Sequence, residues 1–262
     1  MSRHPIGVFD SGVGGISIWK EIHNCLPHED TIYLADSKYA PYGNKSAEEI
    51  TALSVKNTEF LRKQQCKLIV VACNTATTNA IEHLRERYDI PFIGIEPAIK
   101  PAALQTQTKS IGILATKGTL SSALFHQTAE AFTKDISVIE IVGEGLVPLI
   151  EAGAMNSEET KKLLAQYMAP MLAANIDHLV LGCSHYPFLI PQLKELLPPH
   201  VQIIDSGAAV ARQTKAVLEK NGLQTTNSEL PNLQFYTNQD PATLQELLRD
   251  VKTNVAIEAI DF

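Results

Sequence analysis

Leu68-Ile69-Val70-Val71-Ala72-Cys73-Asn74-Thr75 decides the fold, because the same design returns as His178-Leu179-Val180-Leu181-Gly182-Cys183-Ser184-His185. Each stretch is an apolar run that ends in a cysteine followed by hydroxyl, amide or imidazole side chains. An uninterrupted apolar run fits a parallel strand covered on both faces, whereas a half-exposed strand would alternate. A second pair matches in the same order: Ile6-Gly7-Val8-Phe9-Asp10 with Ile111-Gly112-Ile113-Leu114-Ala115. Any two α/β stretches share apolar runs, but the matched cysteine-plus-polar endings favour duplication over that general likeness. The expected fold class is α/β, with two similar parallel-sheet lobes related by pseudo-duplication and an active site in the cleft between them.

Working outward, further strands are expected at Thr31–Ala35, Phe92–Ile95, Val138–Val142 and Val201–Ile204, with a weaker one at Gln234–Tyr236. Helical patterns fill the intervals. Ser46 followed by Glu49 reads as a capping box, opening a helix to Gln65 with Ile50, Leu53, Phe60 and Leu61 on one face. Asp240-Pro241 starts another, with Leu244, Leu247 and Leu248 inward. Strand–helix alternation of this kind builds parallel sheets.

Composition bounds the function. The 262 residues are 45% hydrophobic and 19% charged, ordinary for a folded chain, and the net charge is −7. An acidic surface disfavours nucleic acid or an anionic membrane as principal partner. The N-terminal stretch Met1 to Gly12 has no apolar signal core, and no apolar run is long enough for a membrane span. Four scattered cysteines, Cys25, Cys66, Cys73 and Cys183, do not form a disulfide framework, so reduced thiols and a cytoplasmic location are expected.

Ligands of parallel α/β sheets bind at the carboxyl ends of the strands. Those ends deliver Asp10-Ser11, Cys73-Asn74-Thr75, Thr116 and Cys183-Ser184-His185, and the loop Pro41-Tyr42-Gly43-Asn44 could close over them. Asp10-Ser11-Gly12-Val13-Gly14-Gly15 is a glycine-rich strand-to-helix turn. Ser17 stands where a dinucleotide fingerprint needs glycine, and no Gly-Lys-Ser/Thr follows. Backbone N–H groups on such a turn can instead cradle a carboxylate.

Cys25 and Cys66 lie in helical patterns and read as buried hydrophobes. Cys73 and Cys183 end strands ahead of helices, where a thiol pKa can be depressed. Two thiols suit inversion of a stereocentre with a poorly acidic α-proton: one removes the proton, and the other returns one to the opposite face. Asp10 sits with Cys73, and His185 follows Cys183, as tuning neighbours. A metal site of Cys73, Cys183, His185 and Asp10 has no supporting ligand spacing. A Cys-His hydrolase using His185 leaves the second cysteine without a role.

Over essentially its whole length the sequence resembles the glutamate racemases. The blocks that carry the resemblance are Ile6-Gly7-Val8-Phe9-Asp10-Ser11-Gly12-Val13-Gly14-Gly15, Ala40-Pro41-Tyr42-Gly43, Val71-Ala72-Cys73-Asn74-Thr75-Ala76-Thr77 and Leu181-Gly182-Cys183-Ser184-His185-Tyr186-Pro187. The resemblance implies cofactor-independent, metal-free interconversion of L- and D-glutamate, supplying D-glutamate for peptidoglycan. It implies that Cys73 takes the proton from D-glutamate and Cys183 from L-glutamate. It implies substrate contacts from Asp10, Ser11, Tyr42, Gly43, Asn74, Thr75, Ser184 and His185, with Glu151 assisting on the side of Cys183. It also implies a first domain of residues 1–97 and 210–262, an inserted second domain of residues 98–209, and a homodimer. Ser184 stands where the family commonly has threonine, which keeps the hydroxyl and loses a methyl. The chain begins a few residues before the first expected strand, so the long N-terminal extension of some activator-dependent members is not expected. The alternatives are an aspartate or related racemase of the same superfamily, and a binding or inhibitory protein acting on DNA gyrase. Retention of both cysteines with Asp10 and His185 argues against the latter.

Overall fold

The computed structural model describes residues 4–226 and 228–262, so the first three residues of the N-terminal stretch lie outside the described residues. Among the described residues ten strands are present. In chain order they are β1 (Ile6–Asp10), β2 (Thr31–Ala35), β3 (Leu68–Val71), β4 (Phe92–Gly94), β5 (Ser110–Ala115), β6 (Ser137–Val142), β7 (His178–Gly182), β8 (Gln202–Ile204), β9 (Leu233–Thr237) and β10 (Val255–Ala259). They form two parallel sheets, one ordered β10-β9-β2-β1-β3-β4 and the other β6-β5-β7-β8.

The order β2-β1-β3-β4 is repeated as β6-β5-β7-β8. In each sheet the first strand of the repeat lies between the second and the third, so the two cysteine-ending runs occupy equivalent places. β1, β3, β5 and β7 are buried along their whole length, which is why they read as continuous apolar runs. The chain crosses to the second sheet after β4 and returns after β8. There the Ser206 hydroxyl bonds to the Glu96 carbonyl. The helix after that return, Gly207–Lys220, packs on the helix Ile16–Cys25 that follows β1. Trp19 anchors this layer: it is fully buried, meets Phe235 edge-on at 4.8 Å, and its indole N–H donates to Thr31 at 2.9 Å.

Three features differ from the sequence expectation. β10 was not anticipated: it is an edge strand whose residues are only half-buried or exposed, so no apolar run announces it. Cys66 lies beyond the helix, in the connection to β3, though it is buried as expected. The capping box of Ser46 and Glu49 is formed and opens the helix Ala47–Lys63. However, the face that helix buries is Ile50, Ser54, Asn57, Thr58 and Leu61, with Leu53 and Phe60 only partly covered. The spacing is helical, but the inward face is partly polar, and Asn57 on it serves a buried carboxylate. No helix among the described residues is long and apolar enough to cross a membrane.

Candidate active site

The carboxyl ends of β1, β3 and β7 meet where the two sheets face each other. Asp10 closes β1 and is fully buried. Its Oδ1 accepts from Ser11 Oγ at 3.0 Å, and its Oδ2 accepts from Ser184 Oγ, on the other sheet, at 2.8 Å. Cys73 follows β3 and caps the helix Asn74–Arg87: its Sγ accepts from the Ala76 N–H at 3.4 Å and donates to Ser11 Oγ at 3.6 Å. Cys183 follows β7, with its Sγ 3.8 Å from His185 Nδ1. The other ring nitrogen, Nε2, lies 2.5 Å from Glu151 Oε1.

The glycine-rich turn holds a carboxylate, as its backbone suggests, but that carboxylate is the chain's own. The Val13 N–H donates to Glu151 Oε1 at 2.7 Å, and Ser37 Oγ donates to Oε2 at 2.8 Å. Glycine is required here by close approach. A Cβ on Gly12 would lie 1.9 Å from Glu151 Oε1, and one on Gly14 would lie 2.2 Å from His185 Nδ1.

A narrow cavity lies between the two thiols. Ser11, Tyr42, Gly43, Cys73, Asn74 and Thr75 line it from the first sheet, and Thr116, Val147, Cys183, Ser184 and His185 from the second, with Pro41 at its edge. Asp10 and Glu151 stand behind this lining, acting on it through Ser11, Ser184 and His185. Asn74 is 2% exposed, and neither its amide nitrogen nor its oxygen has a partner within the protein. A buried amide left this way is costly unless something in the cavity satisfies it. Thr75 Oγ1 is 2.7 Å from Thr116 Oγ1, joining the two lobes across the rim.

Tyr42 is held from behind. Its hydroxyl donates to Asp36 Oδ2 at 2.5 Å, and Asp36 also accepts from Lys56 at 2.9 Å, Asn57 at 3.3 Å and Asn238 at 2.6 Å. Sequence reading missed Asp36, Ser37 and Val147. The rule that found Asp10 would have found the first two, since Asp36-Ser37 follows β2, the strand beside β1.

The two thiols sit in different electrostatic surroundings. Burial pushes the Cys73 thiol far up, and the nearby Asp10 carboxylate adds to the rise; the hydrogen bonds with Ala76 and Ser11 do not offset them. The depressed thiol expected at this helix N-terminus is therefore not found, because desolvation outweighs one N–H bond. Burial alone would pull His185 down, but its contacts with Cys183 and Glu151 overcome it and hold the imidazolium well above the usual histidine range. Burial likewise opposes ionisation of Glu151, and the bonds from His185, Val13 and Ser37 win, keeping it below its ordinary value. Asp10 is raised, chiefly by burial. Among the described residues no three His, Cys, Asp or Glu side chains are grouped to hold a metal ion.

With this geometry in place, the comparisons are specific. The profile of the Asp/Glu/hydantoin racemase family matches residues 6–214. A glutamate racemase of Herpetosiphon aurantiacus is 46% identical over 92% of this chain and 95% of its own. The crystal structure of glutamate racemase isoform RacE1 from Bacillus anthracis superposes with a TM-score of 0.86 at 30% identity, covering 99% of this chain and 98% of that one. That of the Escherichia coli glutamate racemase, in complex with L-glutamate and the activator UDP-MurNAc-Ala, gives 0.86 at 32% identity over 98% of both chains.

Proposed function

The chain belongs to the Asp/Glu/hydantoin racemase family, and we propose that it interconverts L- and D-glutamate with Cys73 and Cys183 as opposed acid/base thiols. The observation that carries this reading is the narrow cavity with one thiol from each sheet, each with a different partner.

Racemisation needs a base and an acid at the same moment. His185, held as an imidazolium by Glu151, lies 3.8 Å from Cys183 as its proton partner, while burial beside Asp10 favours the thiol at Cys73. This resting form is ready for L-glutamate. Cys183 takes the α-proton, the carbon is left as a carbanion, and the Cys73 S–H bond breaks as its proton passes to the opposite face. The product state, Cys183 thiol and Cys73 thiolate, is the form ready for D-glutamate, and the reverse reaction regenerates the first. Glu151 holds His185 charged and oriented. Asn74, Thr75, Ser11 and Ser184 offer the amide and hydroxyl groups that a substrate carboxylate and ammonium need. D-Glutamate made in this way supplies peptidoglycan synthesis. The need for reduced thiols supports action in the cytoplasm, and a homodimer is part of the reading.

Circular dichroism tests it. Purified chain with EDTA and no added cofactor should bring the signal of L-glutamate to zero, and that of D-glutamate likewise, while L-aspartate persists. Inversion of aspartate in preference to glutamate, or dependence on an added metal or cofactor, would overturn it.

A further inference from the structure

The closed cavity is flanked by two open grooves. One shares Pro41, Gly43, Thr116 and Val147 with the cavity wall. The other shares Pro41 and Val147. Resting on the proposed reaction, we infer that glutamate reaches the thiols through the first groove, past Lys45 and Lys117, and that the contact between Gly43 and Gly118 is the seam that parts to admit it.

Two independent observations select this route. The first is charge. Glutamate carries a net charge of minus one, and the chain carries −7, so the protein as a whole repels its substrate. The first groove is lined by Lys45 and Lys117 against one acid, Glu144. The second is lined by Glu151 and Asp240 with no base. Lys117 is exposed and Lys45 half-buried, and neither forms an ion pair among the described residues.

The second observation is the cohesion of the walls. Toward the second groove the wall is Glu151, tied by Val13, Ser37 and His185, with its carbonyl accepting from Thr243 at 2.8 Å. Opening there would break the three bonds from Val13, Ser37 and Thr243 that hold Glu151 to the first lobe. Toward the first groove the lobes touch through Gly43 and Gly118, with the Thr116 and Thr75 side chains packed against them. A Cβ added to Gly118 would lie 3.2 Å from Gly43 Cα, and no backbone hydrogen bond crosses this contact among the described residues. The polar ties at the seam are all neutral: the Thr75 hydroxyl meets those of Thr116 and Thr119, and the Asn79 amide donates to the Gly118 carbonyl at 3.1 Å. Parting them exposes hydroxyl and amide groups that water satisfies at once, whereas the other wall gives up bonds to a carboxylate, so this side opens at less cost.

Lys45 and Lys117 do not line the closed cavity, so they act before closure, on kcat/KM and KM rather than on kcat. Lys45→Gln, Lys117→Gln and the double variant should each be assayed for racemisation from low to high ionic strength, beside Asp240→Asn, which keeps an acceptor for the Ala242 N–H. At low salt each lysine change should lower kcat/KM roughly threefold and the pair about tenfold, with kcat unchanged. The wild-type fall in kcat/KM with added salt should flatten in the double variant, and Asp240→Asn should match wild type. A double variant within about 1.5-fold of wild type at low salt, or a rise in kcat/KM for Asp240→Asn, would overturn the route while leaving the racemase reading intact. A wild-type chain that neither binds glutamate in calorimetry nor racemises it would overturn both.

Discussion

His185→Asn isolates what the imidazolium does for Cys183. In the structure the ring bridges Cys183 Sγ at 3.8 Å and Glu151 Oε1 at 2.5 Å, and it is held charged well above the usual histidine range. Glu151 keeps its bonds from Val13 and Ser37 when the ring is removed, so the lobe contact survives. What is lost is the cation beside Cys183 and its charge-assisted contact. A hydrogen bond to a charged group is worth about 1.5–3 kcal/mol, so kcat/KM should fall roughly ten- to hundredfold. Enantiomers have equal free energies in solution, so kcat/KM must fall by one factor in both directions even though the ring serves one thiol. Circular dichroism with each enantiomer from pH 6.5 to 9 reads this. The wild type should be nearly flat between pH 7 and about 8.5, since His185 stays charged through that range. The variant, without that cation, should regain part of the loss as the pH rises over the same range. A variant within threefold of wild type at pH 7, or one equally depressed at every pH, would refute the assignment of His185 as the group that serves Cys183.

Cys73→Ala and Cys183→Ala should each abolish inversion, and in deuterated water any residual α-proton exchange should favour D-glutamate in the second and L-glutamate in the first, read by NMR. Racemisation by either at near wild-type rate would make that cysteine structural. Tyr42→Phe removes a charge-assisted bond to the buried Asp36 and should cost about 1.5–3 kcal/mol in urea unfolding, with KM raised as the loop over the cavity loosens. Glu29→Gln breaks a 2.5 Å ion pair with Lys67, both side chains 2% exposed, and should cost about 3–5 kcal/mol in the same assay. Because that pair lies outside the cavity lining, kcat should be unchanged in the folded fraction.

The central strands were legible because both faces of each are covered and their apolar runs are unbroken; β10 was not, since its half-exposed residues carry no such run. The same burial made the strand-end residues legible as a set: a polar residue directly after a buried run has few places to go but the carboxyl edge of the sheet. Spacing along the chain does not report three-dimensional approach. It could not show that Glu151 sits on the turn at Gly12–Val13, nor that the buried face of Ala47–Lys63 is partly polar, with Asn57 reaching Asp36. Desolvation is equally silent in sequence. The helix N-terminus at Cys73 suggests a lowered thiol, and only the burial around it reverses the sign.

The differences between the repeats matter as much as their likeness. Duplication places two thiols at equivalent strand ends, but two equivalent thiols would share one protonation state, and inversion requires opposite ones. The repeats diverge at that point. Aligned on the cysteines, Cys183-Ser184-His185 has an imidazole where Cys73-Asn74-Thr75 has a hydroxyl. His185 carries a proton and a charge toward Cys183, whereas Thr75 is turned to Thr116 and Thr119 and can carry none. Asp10, a buried carboxylate near Cys73, adds negative charge there and reinforces the thiol. Asp10 also accepts from Ser184, the neighbour of Cys183, so one carboxylate joins the two thiol-bearing segments while opposing ionisation at Cys73. The mirror relation between the two substrates is met by near-symmetry in position, and the need for one acid and one base by asymmetry in charge.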